Sequence, residues 1–368
     1  MSRKVMDYFL EMVQIDSESL YEGAMVEYLR DELERLGAEI YIDEANKVTG
    51  GETGNLIAWI EGEPEKEPLL LCAHLDTVKP GRGIVPVIDG DRVRSAGITI
   101  LGADDKCGIA MILSAVSEYL SSGKKHASLE LLFTVSEEIG LLGAKQLDCS
   151  LLRAKRGYVL DGNILGEVVT AAPSQSGWTA KFTGRAAHAG LEPEKGINAI
   201  RAAAAAIGAI PDGRIDEETT MNVGMIAGGK ATNIVCEEVT VLGEIRSHNE
   251  AKLAELERKV KEQFEAAASG SGCELDFQLA KSFSAIKIKE EDELIKISEA
   301  AFASIGITHR LVVSGGGSDA NILAEKGIQL LIVGPGMQNI HSTAEFILTA
   351  DLEKGRDWVA EIIELWSR

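Results

Sequence analysis

The chain has 368 residues, of which 45% are hydrophobic and 26% charged, and its formal net charge is −21. That length exceeds a usual single core and points to two domains. The acidic surplus argues against nucleic acid or an anionic membrane as a main partner. The five cysteines, Cys72, Cys107, Cys149, Cys236 and Cys273, are widely spaced and form no CxxC pair, so they signal neither a disulfide framework nor a zinc knuckle. No apolar run is long enough to span a bilayer. Met1 to Asp7 carries no apolar stretch of the secretory kind. The expectation is a reduced, cytoplasmic protein with no membrane partner.

Residues 3–14 and about 22–36 predict amphipathic helices. Met25, Tyr28, Leu29, Leu33 and Leu36 make one face of the second, and Gly37 is placed to end it. Ile40, Ile42 and Leu56 to Ile60 read as strands. The run Leu69 to Ala73 predicts a buried strand that ends in His74-Leu-Asp-Thr-Val78. Then comes Gly102-Ala-Asp-Asp-Lys-Cys-Gly108, followed by a helical pattern at Ile109, Ile112, Leu113, Val116 and Leu120. A second apolar run, Leu129 to Val135, ends in Ser136-Glu137-Glu138. A third, Tyr158 to Leu160, ends in Asp161. A fourth, Leu330 to Val333, precedes Gly334-Pro-Gly336 and His341.

Continuous apolar runs between helical patterns predict an α/β fold, a mostly parallel sheet flanked by helices. Ligands of such sheets bind beyond the carboxyl ends of the strands, and all four runs release a His, Asp or Glu there. Between about 174 and 285 the texture changes. Trp178 to Phe182 alternates, as does part of Val235 to Ile245, and helices are expected at about 194–210 and 249–268. This predicts a small α+β domain, residues 174–285, inserted into a catalytic domain made of residues 1–173 and 286–368. A final amphipathic helix carries Leu352, Val359, Ile362, Ile363 and Trp366.

His74, Asp104, Glu138, Asp161 and His341 are nitrogen and oxygen donors of the kind that suits zinc, cobalt or manganese. Two ions sharing five such residues need one bridging carboxylate. Asp104, in the middle of the set and at a helix start, is the candidate, with Asp105 left open by spacing alone. Asp76, two residues beyond His74 on an extended segment, can orient the imidazole or cap the following turn. Glu137 and Glu138 point to opposite sides of an extended chain. One can then bind metal while the other serves as general base toward a water.

These stretches resemble the M20 family of dinuclear zinc peptidases and, within it, the peptidase T-like members. The resemblance covers the chain in order. Besides the motifs above it includes Ala186-Ala-His-Ala-Gly190, Ala231-Thr-Asn-Ile-Val235, Glu244-Ile-Arg-Ser247 and Ser314-Gly-Gly-Gly-Ser-Asp-Ala-Asn321. It implies two zinc ions per subunit, with Asp104 rather than Asp105 as the bridge and Glu137 as general base. It implies that His188 stabilises an oxyanion, although a helix-capping role also fits that position. Arg246 and Asn233 would contact the polar ends of the substrate, and Gly315 and Gly316 would offer backbone N–H groups. The activity implied is removal of the N-terminal residue of a short peptide, a tripeptide above all, with a homodimer formed through the inserted lid. The alternatives are a carboxypeptidase, an N-acyl-amino-acid amidohydrolase of the same family, or a non-catalytic relative that binds metal or peptide.

Overall fold

A computed structural model of the chain describes residues 3–368. They divide into two compact units. One comprises residues 3–170, Lys287–Val313 and Ser318–Arg368. The other comprises Ala171–Ile286 and Ser314–Gly317.

The first unit is built on a nine-stranded sheet. Its order is Glu39–Ile42, Leu56–Ile60, Leu129–Thr134, Leu69–His74, Arg156–Val159, Gln329–Val333, Glu167–Ala172 and Ile286–Lys287, with Arg310–Val313 also paired to Glu167–Ala172. The four central strands run parallel. Their neighbours Leu56–Ile60 and Glu167–Ala172 run antiparallel. The α/β expectation holds, with parallel pairing confined to the centre. Every residue of Leu69–His74 and Leu129–Thr134 is buried. This explains their unbroken apolar sequence, since both faces are covered. Besides the terminal His74 and Thr134, the exception is Glu130, whose buried carboxylate accepts the N–H groups of Arg153 (3.0 Å) and Ala154 (2.7 Å).

Helix Ala103–Ser121 packs on strand Leu69–His74 and on helices Val5–Met12 and Thr349–Trp366. Buried on nearly every side, it carries little polar face. Its first turn is irregular. Gly102 is left-handed (φ 73°), which a side chain would resist, and Asp104 and Asp105 have non-helical backbone angles. Four short strands, Pro86–Asp89, Arg92–Ser95, Phe346–Leu348 and Met337–Gln338, form a separate antiparallel sheet. Sequence periodicity does not announce it, because Pro86–Asp89 has no buried residue to alternate with its exposed ones. It frames the loop that carries His341.

The second unit is a five-stranded antiparallel sheet in the order Gly213–Arg214, Thr219–Gly228, Glu238–Ser247, Ser174–Thr183, Glu274–Phe283. Strand Ser174–Thr183 alternates strictly, with Trp178, Ala180 and Phe182 buried against helices Ala199–Ala209 and Glu250–Ser271. Trp178 meets Phe264 edge-on, ring centroids 5.1 Å apart. The side chains of Asn198 and Asn249 cap the two helices. Beyond Met221 the outer side of Thr219–Gly228 pairs with no strand among the described residues, and Met225 and Ile226 on it are 61% and 57% exposed. Among the described residues, no helix is long and apolar enough to cross a membrane.

Candidate metal centre

The carboxyl ends of the four central strands bring the strand-end residues together. His74 is the last residue of its strand and is buried. Its Nε2 lies 3.0 Å from Asp104 Oδ1 and 3.8 Å from Asp161 Oδ1. The other oxygen of Asp104 lies 3.2 Å from His341 Nε2, which in turn is 2.9 Å from Glu138 Oε2. Asp104 therefore presents one oxygen to each histidine, and each histidine faces a second carboxylate that the other does not. Donor atoms of His74, Asp104 and Glu138 lie within 4.8 Å of one another, as do those of His74, Asp105 and Asp161. Asp105 is thus also at the centre. One of its oxygens accepts the backbone N–H of His74 (3.3 Å), and the other is buried without a hydrogen-bond partner.

The electrostatics are those of a site built around positive charge. Burial, and after it repulsion from neighbouring carboxylates, holds Asp161, Asp105 and Glu137 well above the ordinary carboxylate range and raises Glu138. Asp104 is the opposite. Burial would raise it, but hydrogen bonds from His341 and His74 hold it below the usual range. Hydrogen bonds to Asp104 and Glu138 lift His341 to about 10. Like charges at this spacing resist joint ionisation, and a divalent cation among them removes that repulsion. The donor set and the unpartnered Asp105 oxygen therefore fit metal. Oxygen and imidazole donors without thiolate suit zinc, cobalt or manganese.

Other carboxylates hold these groups through the backbone. Asp76 is fully buried. Its Oδ1 accepts the N–H of Glu137 (2.9 Å), and its Oδ2 accepts the N–H of Glu138 (3.2 Å) and the hydroxyl of Ser19 (2.6 Å). Toward His74 it offers mainly its carbonyl, 3.0 Å from Nδ1, with the carboxylate at 3.5 Å. Glu22 accepts both the N–H and the hydroxyl of Ser136 (3.0 and 2.9 Å), a residue at φ 54° just before the two glutamates. Glu345 accepts three backbone N–H groups around Asp104. Asp319, buried, receives the Thr134 hydroxyl. Sequence reading passed over Glu22 and Glu345. A lone glutamate in a polar stretch carries no motif, and its burial is created only by the fold.

Comparison with known proteins adds the following. A model of the peptidase dimerisation domain of M20 peptidases matches residues 171–271, and a model of peptidase family M28 matches residues 55–179. An uncharacterised protein of Bacillus subtilis, YqjE, is 40% identical over 98% of both chains. The crystal structure of aminopeptidase PepT from Bacillus cereus is 40% identical, with a TM-score of 0.89 over 99% of this chain and 98% of that one. A tripeptidase from Staphylococcus aureus is 35% identical, with a TM-score of 0.94 over 100% and 99%. The M28 model covers only part of the sheet unit, whereas these relatives match end to end, insertion included.

The chain belongs to the M20 peptidases, on their peptidase T-like branch. It is a metallopeptidase. In this M20 chain the remaining residues singled out in the sequence, His188, Asn233, Arg246, Gly315 and Gly316, all lie in the second unit. His188 is exposed, and its Nδ1 accepts the N–H groups of Gly190 (3.1 Å) and Leu191 (3.2 Å). That leaves the hydrogen of the neutral ring on Nε2, which becomes a donor. The N–H of Ala189 donates to the Asn233 carbonyl (2.9 Å), so the two segments lie side by side. Arg246 is held by Glu244 through Nε (2.9 Å) and by the Gly315 carbonyl (3.3 Å). The N–H of Gly316 is taken by the Ser314 hydroxyl (3.0 Å) within its own turn.

Proposed function

We propose that this metallopeptidase is an aminotripeptidase that releases the N-terminal residue of a tripeptide with a free amino group. The observation that carries the reading is the placement of one Asp104 oxygen before each of two histidines. In this reading His74 and Asp161 would hold one zinc ion, Glu138 and His341 would hold the other, and Asp104 would serve both. The ions, when bound, polarise the scissile carbonyl and make water acidic enough to attack near neutral pH.

The chain's own groups do the rest. Glu137, nearly buried and raised in its proton affinity, takes a proton from the attacking water and passes it to the amine that leaves as the C–N bond breaks. Asp76 positions both glutamates through their N–H groups. The first unit is proposed as the catalytic domain and the second as a lid. There His188 Nε2 donates to the developing oxyanion, Arg246 meets the peptide carboxylate as a charge-assisted pair, and Asn233 contacts a polar end of the substrate. The N–H of Gly315 is the one left to meet peptide, since that of Gly316 is occupied. The half-unpaired strand Thr219–Gly228, with Met225 and Ile226 exposed, supports a homodimer formed through this unit.

A panel tests the substrate class after zinc loading: a free tripeptide, its N-acetylated form, its C-terminal amide and a dipeptide. The expected result is cleavage of the free tripeptide, abolished by chelator. Preference for the acetylated peptide would move the reading to a deacylase or carboxypeptidase.

A further inference from the structure

Glu345 is 2% exposed and has no part in the proposed ligand set. Its carboxylate nevertheless receives three backbone N–H groups from one stretch: Leu101 (2.7 Å) and Gly102 (2.8 Å) on Oε2, and Asp104 (3.0 Å) on Oε1. Glu345 belongs to the loop that carries His341. That loop is tightly folded on itself. Asn339 and His341 have positive φ, the Ser342 hydroxyl donates to the Asn339 carbonyl, and the N–H of Glu345 donates to the Ser342 carbonyl (3.1 Å). A loop fixed internally moves as a body. A carboxylate at one end of it that grips the backbone of Asp104 therefore sets where His341, at the other end, stands relative to the Asp104 side chain.

We infer that Glu345 is a positioning residue that holds the loop of His341 in register with Asp104 and so fixes the geometry of one of the two metal positions. The inference rests on the ligand assignment proposed above. The metal position it acts on is the one shared by Asp104, Glu138 and His341. His74 and Asp161 stand at the ends of central strands and do not depend on this tie.

Glu345→Gln is the informative change, because it keeps the shape and removes one acceptor. An amide oxygen can still serve Leu101 and Gly102, but its NH2 group then faces the N–H of Asp104, donor against donor. Zinc titration of the purified apoprotein, followed calorimetrically and by metal content after dialysis, reads both positions without any turnover assay. The parent is expected to bind two equivalents. Glu345→Gln should bind one as the parent does and the second about 10–100-fold more weakly, the usual effect of losing a partner of a metal ligand. Glu345→Asp, which keeps both oxygens, should recover part of the loss.

His341→Ala, run beside it, is expected to lose the same equivalent. Two parent-like affinities in Glu345→Gln, with one lost in His341→Ala, would overturn the positioning role and leave the ligand assignment standing. Two parent-like affinities in His341→Ala would overturn both. A carboxylate that only supported the fold would weaken both positions together, so equal weakening also counts against the inference. Gel filtration and near-UV circular dichroism confirm that the variants compared are folded.

Discussion

Replacing Asp76 by Asn tests how the two glutamates are held. The carboxylate receives the N–H of Glu137 on one oxygen and the N–H of Glu138 with the Ser19 hydroxyl on the other. An amide has one oxygen. Whichever way it is turned, its NH2 faces one of the two backbone N–H groups, which is left without an acceptor inside the protein. A buried donor left unsatisfied costs about 1–3 kcal/mol. For a unit of this size each kcal/mol moves the melting temperature by about 2–4 °C, so a fall of roughly 5 °C is expected. Asp76→Ala orphans both N–H groups and should fall about twice as far. Ser19→Ala removes donor and bond together and should cost no more than about 1 kcal/mol. Turnover by Asp76→Asn should drop about 10–100-fold, as for other partners of metal-site groups. The assays are differential scanning calorimetry of the zinc-loaded protein and initial rates on the free tripeptide. A variant that melts with the parent and turns over within twofold of it would refute this account of Asp76.

Four further outcomes are expected. Glu137→Gln should retain the parent's zinc content and lose at least about a hundredfold in turnover, the contribution of a positioned base; undiminished turnover would remove Glu137 from the reaction. Gly108→Ala should destabilise by about 1–3 kcal/mol through overpacking. Its Cβ would stand 2.4 Å from Asp105 Oδ1 and 2.9 Å from Leu160 Cβ and the Leu160 carbonyl oxygen. Gly208→Ala, a helical site with nothing within 4 Å of the new Cβ, should instead gain up to about 1 kcal/mol, and denaturant melts separate the two. Glu130 is raised by burial from 4.5. Above that value the folded state holds its proton more tightly than the unfolded chain does, so stability falls as pH rises until the folded group ionises. Melting temperatures of Glu130→Gln relative to the parent should therefore climb with pH through that window and then level off; a gap that narrows with pH would contradict the assignment.

What the sequence discloses follows from what each residue does. Leu69 to Ala73 and Leu129 to Val135 are covered on both faces, so their largely apolar runs, the second broken by Glu130 and Thr134, are legible, and the residue that follows each is marked by position. The alternation from Trp178 to Phe182 is equally plain, because one face of that strand is buried and the other open. The hairpin Pro86–Asp89 with Arg92–Ser95 leaves no such trace, since its strands are four residues long and largely exposed. Asp104 and Asp105 are neighbours whose roles depend on a distorted first turn that periodicity cannot express. Arg246 enters the sequence reading only as a substrate contact implied by resemblance, and in the structure Glu244 holds it from two residues away on the same strand, on the same side of the sheet. Glu22 and Glu345 matter only because the fold brings distant backbone to them, and Asp319 because it brings the Thr134 hydroxyl.

The tie between Glu345 and Asp104 spans 241 residues of chain. That separation bears on the order in which the protein is made. Strands 69–74, 129–134 and 156–159 leave the ribosome early, but the parallel partner Gln329–Val333 and the loop with His341 come only after the whole insertion. At about 5–20 residues per second the wait is on the order of ten to thirty seconds. Through that interval the nascent chain carries most of the carboxylates of the centre without the second histidine or the clamp that registers it. On the proposed ligand assignment, metal capture at the position that includes His341 is therefore a late event, tied to completion of the carboxyl-terminal segment.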